Sequence, residues 1–144
     1  MTRFMLTTAG IALAGALLSS DANAAGPDLV PIFDVNTGRV AVRNIGDAVA
    51  GPSFVTIECA PAGRNPCPEP PPVPQYENPA FPNKVTVKVP RLGKGKLFKH
   101  KLSFYGGLVF LSGSYNFTVI ADDGNNVAEG NEANNTIVEV KTVP

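Results

Sequence analysis

Short runs of alternating apolar and polar residues recur along the chain. A period of two fits strands and does not fit helices. The clearest run is Lys84-Val85-Thr86-Val87-Lys88-Val89, with three valines on one face and Lys84, Thr86 and Lys88 on the other. Arg39-Val40-Ala41-Val42-Arg43-Asn44 turns Val40 and Val42 one way and Arg39 and Arg43 the other. Ser53 to Cys59 places Val55 and Ile57 inward and Thr56 and Glu58 outward. Lys96 to Phe104 puts Phe98, His100, Leu102 and Phe104 on one face, opposite Leu97, Lys99, Lys101 and Ser103. Tyr115, Phe117, Val119 and Ala121 form the inward face of the next run. Val138 and Val140 are predicted to do the same for the last, Thr136 to Val140. Asp28 to Ile32 is a first strand, placed at an edge because Pro31 has no N–H to donate. Seven short strands predict an immunoglobulin-like antiparallel β-sandwich. The 14 glycines and 14 prolines supply its turns and argue against long helices. Gly113-Ser114-Tyr115 has the form of a tyrosine corner, with a buried ring whose hydroxyl bonds back to the chain.

The first residues have a different character. Met1-Thr2-Arg3 is a short basic start, Phe4 to Leu18 is apolar, and Ala22-Asn23-Ala24-Ala25 ends a small-residue stretch. That order is the pattern of a secretory signal peptide over residues 1–24, cleaved after Ala24 or one residue later. The apolar run is shorter than the roughly 20 residues a spanning helix needs. The domain then occupies residues 25–144, and the expected location is the periplasm or the medium. In such an oxidising compartment Cys59 and Cys67 are expected to form a disulfide. The segment 61–82 holds nine prolines, among them Pro70-Pro71-Pro72, and predicts an extended surface loop tethered by that bridge.

Three groups of residues carry candidate chemistry. Between the last two strands lies a polar, acidic stretch, Asp122 to Asn135. Asp122, Asp123, Asn125, Glu129 and Glu132 could supply oxygens to calcium, although they lack the spacing of an EF-hand loop. The competing expectation is structural: Asp123-Gly124 and Asn125-Asn126 make tight turns, and the amides satisfy loop backbone. The second group is basic. Lys84 to Lys101 contains six lysines, Arg91 and His100 and no acid, and Lys94, Lys96, Lys99 and Lys101 are candidate contacts for a polyanion. Outward lysines also protect a strand edge from pairing. The third group is His100 itself. Its parity points it toward the core, so no Ser-His-Asp or Cys-His site is expected. The formal net charge of +0 gives no general argument for nucleic acid.

Three pieces of this sequence together resemble the CARDB family, the cell-adhesion-related domain of bacteria. These are Pro27-Asp28-Leu29-Val30 at the opening strand, Asn44-Ile45-Gly46 with Ala50-Gly51-Pro52 after the second, and a closing set. The closing set is Gly113-Ser114-Tyr115, Asp122-Asp123 and Glu129-Gly130-Asn131-Glu132-Ala133-Asn134-Asn135. The proline-rich insert departs from the shorter connection expected there. The resemblance implies an immunoglobulin-like sandwich of exported proteins that serves adhesion or accessory roles and has no catalytic set. The resulting expectation is a non-catalytic exported binding or adhesion module whose partner is another exported protein or a surface glycan or polyanion. Alternatives are a structural subunit docking on a larger exported assembly and a calcium-dependent glycan-binding module. No other cofactor is expected.

Overall fold

The computed structural model describes residues 26–68, 84–102 and 110–144. The leader-like segment, most of the proline-rich loop and Phe104 lie outside these residues. Seven strands follow in order: β1 (Leu29–Asp34), β2 (Arg39–Asn44), β3 (Ser53–Pro61), β4 (Val85–Val89), β5 (Leu97–Lys101), β6 (Gly113–Ala121) and β7 (Thr136–Val143). They form two antiparallel sheets, β1-β2-β5 and β4-β3-β6-β7. Hairpins join β1 to β2, β3 to β4 and β6 to β7, while β5 returns to the first sheet beside β2. This is the immunoglobulin-like sandwich expected from the alternation.

The inner faces meet in one core. Val40, Val42, Val55, Val89, Tyr115, Val119 and Ala121 are wholly buried, with Phe117, Ile57 and Val87 nearly so. Leu29 seals one end of the first sheet and Leu102 follows β5 inward. The Tyr115 ring meets Phe110 edge-on at 5.1 Å, and its hydroxyl donates to Leu111 O at 2.8 Å, which completes the tyrosine corner. Pro31 lies in β1, an outer strand of its sheet. Ile45 N donates to Asp28 O, so the β1 residues bonded to β2 are the even-numbered ones, and the missing N–H of Pro31 falls on the open side. Cys59 and Cys67 are bonded, with Cα atoms 6.0 Å apart, and so anchor the start of the proline-rich segment to β3. Phe98 and His100 share the inner face of β5 half-buried, their rings stacked at 6.4 Å.

Two expectations change. Val138 and Val140 do not face inward; they are 59% and 58% exposed, and the inner parity of β7 belongs to Ile137, Glu139, Lys141 and Val143. The β6 pairing imposes this, because Val119 sits opposite Ile137 and Phe117 opposite Glu139. Glu139 is tolerated there because β7 is the last strand of its sheet and its inner side opens to water at the rim. Second, Thr56 and Thr86 take the outer parity but are buried, as directly opposed partners on β3 and β4. Asp123 accepts from Thr56 Oγ1 at 2.7 Å and from Lys84 Nζ at 3.0 Å, while Thr86 Oγ1 donates to Lys84 O at 3.4 Å.

Candidate functional site

The acidic stretch leaves β6 through a turn that its residue types dictate. Asp122 and Asn125 take positive φ values of 51° and 52°, Gly124 lies at 130°, and Asn125 N donates to Asp122 O at 2.8 Å. Asp, Asn and Gly are the residues that adopt this geometry most readily. The buried Asp122 carboxylate then closes the loop. Its two oxygens accept from Asn126 N at 3.1 Å and Val127 N at 2.8 Å, and Val127 drops into the core.

The second half of the stretch reaches across to the first sheet. Glu129 accepts from Leu29 N on the open side of β1 and, through its other oxygen, from Asn135 Nδ2 at 3.1 Å. Gly130 N donates to Pro27 O at 2.9 Å, and Asn134 Nδ2 donates to Asp28 Oδ1 at 2.9 Å. Glu132 accepts from Glu129 N at 3.0 Å and from Asn135 Nδ2 at 3.0 Å. A short 3-10 turn, Glu132–Asn134, capped by Asn131, holds these groups in place. The Glu-x-x-Glu-x-Asn-Asn sequence is therefore a clamp, with each conspicuous side chain binding the first strand or the loop itself.

Asn44 does the same work from the other side. Fully buried, it accepts from Asp28 N and Gly46 N, both at 3.1 Å, and donates to Ala48 O at 2.7 Å and Leu92 O at 3.0 Å. Gly46 is required by close approach: a Cβ there would lie 2.2 Å from Gly26 O and 2.6 Å from Asp28 N. The opening strand is thus gripped by Asn44 and Glu129 together.

The structure brings Asp122, Glu129 and Glu132 into one neighbourhood and sends Asp123 elsewhere, to Lys84 and Thr56. Burial raises the Glu129 carboxyl from 4.5 to about 7, helped by the charges of Glu132 and Asp122 and opposed by the Leu29 N–H. Burial likewise raises Asp122. Asn125 lies at the turn beside an open depression of about 360 Å³ that Asp122, Asp123, Glu132 and Asn135 also line and Glu129 does not. Among the described residues no three His, Cys, Asp or Glu side chains form a ready-made metal-binding group. Asn135 Oδ1 is buried there with no hydrogen-bond donor among the described residues.

The basic residues occupy a separate surface, the outer face of the β1-β2-β5 sheet. Its cross-strand rows are Val30–Arg43–Leu97, Ile32–Ala41–Lys99 and Asp34–Arg39–Lys101. Arg39, Arg43, Lys99 and Lys101 are all exposed, and none is in an ion pair among the described residues. Arg39 and Lys101 stand directly opposite each other, an unfavourable like-charge pairing. Asp34, the acid on this face among the described residues, stands opposite Arg39 and bonds Thr37, whose hydroxyl at 2.6 Å holds its carboxyl below the usual range with help from the Arg39 charge. Exposed Ile32 and Leu97 lie among the cations. Lys94 and Lys96 extend the positive surface at the turn entering β5. The lysines stood out in sequence, but Arg39 and Arg43 were missed as part of this face. The available signal was the matching outward parity of β2 and β5; their adjacency was not encoded locally.

Residues 76–139 match the family model CARDB, a stretch that takes in β4 to β6 and half of β7. No curated protein gives a significant match. Two solved structures share the fold. One is a solution structure of a domain of a cell surface protein from Methanosarcina acetivorans, 23% identical, with a TM-score of 0.53, covering 82% of this chain and 92% of that one. The other is a crystal structure of the CARDB domain of a Pyrococcus furiosus protein in complex with di-metal ions, 17% identical, with a TM-score of 0.53, covering 82% of this chain and 94% of that one. Over residues 76–139 this chain is therefore similar to the CARDB family, and its sandwich has the fold of a solved CARDB domain.

Proposed function

We propose that the protein is an exported, non-catalytic binding module whose contact surface is the basic outer face of the three-stranded sheet. The observation that carries this reading is the set of four exposed cations, Arg39, Arg43, Lys99 and Lys101, gathered on one face without ion-pair partners among the described residues. Such a face attracts a polyanion over distance and holds it through several weak contacts at once. Exposed Ile32 and Leu97 add apolar contact of the kind that a sugar ring or an acidic protein surface can use. The disulfide suits an oxidising compartment, which supports the exported setting. The partner class is a sulfated or acidic surface glycan, with an acidic exported protein as the same chemistry on another scaffold. On a heparin column the protein is retained at low salt, and Lys99→Glu with Lys101→Glu abolishes retention while leaving the melting temperature near that of the parent. Unaltered retention of the double variant would overturn the reading.

A second reading has its own support. Among the described residues Asp122, Glu129 and Glu132 crowd together with no base paired to them and Asn135 Oδ1 has no donor, and a structural neighbour was crystallised with di-metal ions. Calcium entering this neighbourhood would relieve the repulsion, with Asp122, Glu129, Glu132 and Asn135 able to hold it and Asn125 at its rim. Binding of this kind raises the melting temperature by several degrees in millimolar calcium, reversibly on chelation. An unchanged transition removes it.

A further inference from the structure

We propose that β7 is a self-pairing edge, and that two copies of this chain associate by antiparallel addition of β7 to β7 about a two-fold axis at Val140. Ala121 N donates to the directly opposite Asn135 O, so the bonded positions along the β6–β7 ladder continue at Ile137, Glu139, Lys141 and Val143. The N–H and C=O groups of Thr136, Val138, Val140 and Thr142 therefore point away from the sheet.

The other outer strands are blunted. β1 carries Pro31 on its open side, β5 sets exposed Lys99 and Lys101 beside its edge, and the five-residue β4 carries Lys88. β7 is eight residues long, has no proline, and shows only threonine and valine on its outer parity, with Val138 and Val140 more than half exposed. A long edge whose outer face carries no charge is one that another strand can extend.

The occupant follows from the charges on the inner parity. Glu139 and Lys141 are two residues apart and of opposite sign. A lone inward charge guards an edge, but this pair is complementary to its own reversed copy. A symmetric antiparallel ladder must be centred on a residue. Centring on Glu139 opposes glutamate to glutamate, and centring on Lys141 opposes lysine to lysine. Centring on Val140 sets Glu139 against Lys141 of the second copy, twice, with Ile137 against Val143 and Val138 against Thr142. It also makes Val140 a mutually hydrogen-bonded pair, as its outward N–H and C=O require. Lys141 Nζ, 5.3 Å from the Phe110 ring centre, already sits at the rim of the sandwich where that contact would form.

The axis of such a pair stands perpendicular to the joined sheets, so both three-stranded sheets lie on the same side. Their basic faces then point the same way and can engage one surface together, a consequence that rests on the proposed polyanion reading while the dimer itself does not. Sedimentation equilibrium over micromolar to millimolar concentrations tests the pairing without any ligand. The parent chain shows a reversible two-copy species. Val140→Pro removes only an outward N–H, so it melts as the parent does but stays monomeric. Glu139→Lys and Lys141→Glu each weaken association at least tenfold, and the double variant restores it. A parent that is monomeric throughout, a Val140→Pro protein that still pairs, or a double variant that fails to recover would each overturn the proposal.

Discussion

Glu129 shows how one side chain couples two distant parts of the chain and makes their union sensitive to pH. It accepts from Leu29 N, 100 residues away in sequence, and its carboxyl is raised from 4.5 to about 7, chiefly by burial. A raised carboxyl means that the folded state holds the proton more tightly than the unfolded chain does. The stability this contributes is fully present below about 4.5 and is lost as the pH rises through about 7. Asp122 is raised in the same direction. The melting temperature is therefore higher at pH 5 than at pH 8, and Glu129→Gln, which keeps an acceptor for Leu29 N–H, flattens that dependence. Thermal melts of the two proteins across this range check it; an equally steep profile in the variant would assign the effect to another group. The residues of the clamp were legible in the sequence as turn formers and amide donors. Their target was not, because nothing local to Glu129 or Asn134 specifies the start of β1.

Elements whose alternation was one-sided were legible almost to the residue. β2 spans Arg39–Asn44 as its pattern indicates, and β6 carries its four predicted inward residues fully or nearly buried. β7 failed because Thr136 to Val143 has β-branched apolar residues on both parities, and the inner one includes Glu139 and Lys141. Period alone favours the valines; only pairing with Phe117 and Val119 fixes the register. The burial of Thr56 and Thr86 was hidden for the same kind of reason, since Thr56 is bonded by Asp123 from another loop and Thr86 by the Lys84 backbone. The tyrosine corner offers an isolated test at this scale. Tyr115→Phe keeps the ring against Phe110 and loses the bond to Leu111 O, lowering unfolding free energy by about 1 kcal/mol in urea titration. No loss would mean that the hydroxyl merely accompanies the ring.

At the scale of the whole molecule the two charged regions have different jobs. The acidic loop spends its oxygens inward, on Leu29, Asn126, Val127, Asn135 and its own turn. The basic face keeps its charges outward and unpaired among the described residues, across two strands that are distant in sequence. Composition hides this division, because a formal net charge of +0 averages over it. The sandwich creates it by placing the β6–β7 connection against the start of β1 while β2 and β5 lie side by side on the far face of the other sheet. Amide chemical-shift mapping of the isotope-labelled protein, titrated with a heparin oligosaccharide and then with calcium, tests this division most directly. Saturable shifts centred on Arg39, Arg43, Lys99 and Lys101 are expected with the oligosaccharide, and none at residues 122–135 from that addition. Shifts confined to the acidic loop on adding calcium, with the basic face unmoved by the oligosaccharide, would contradict it.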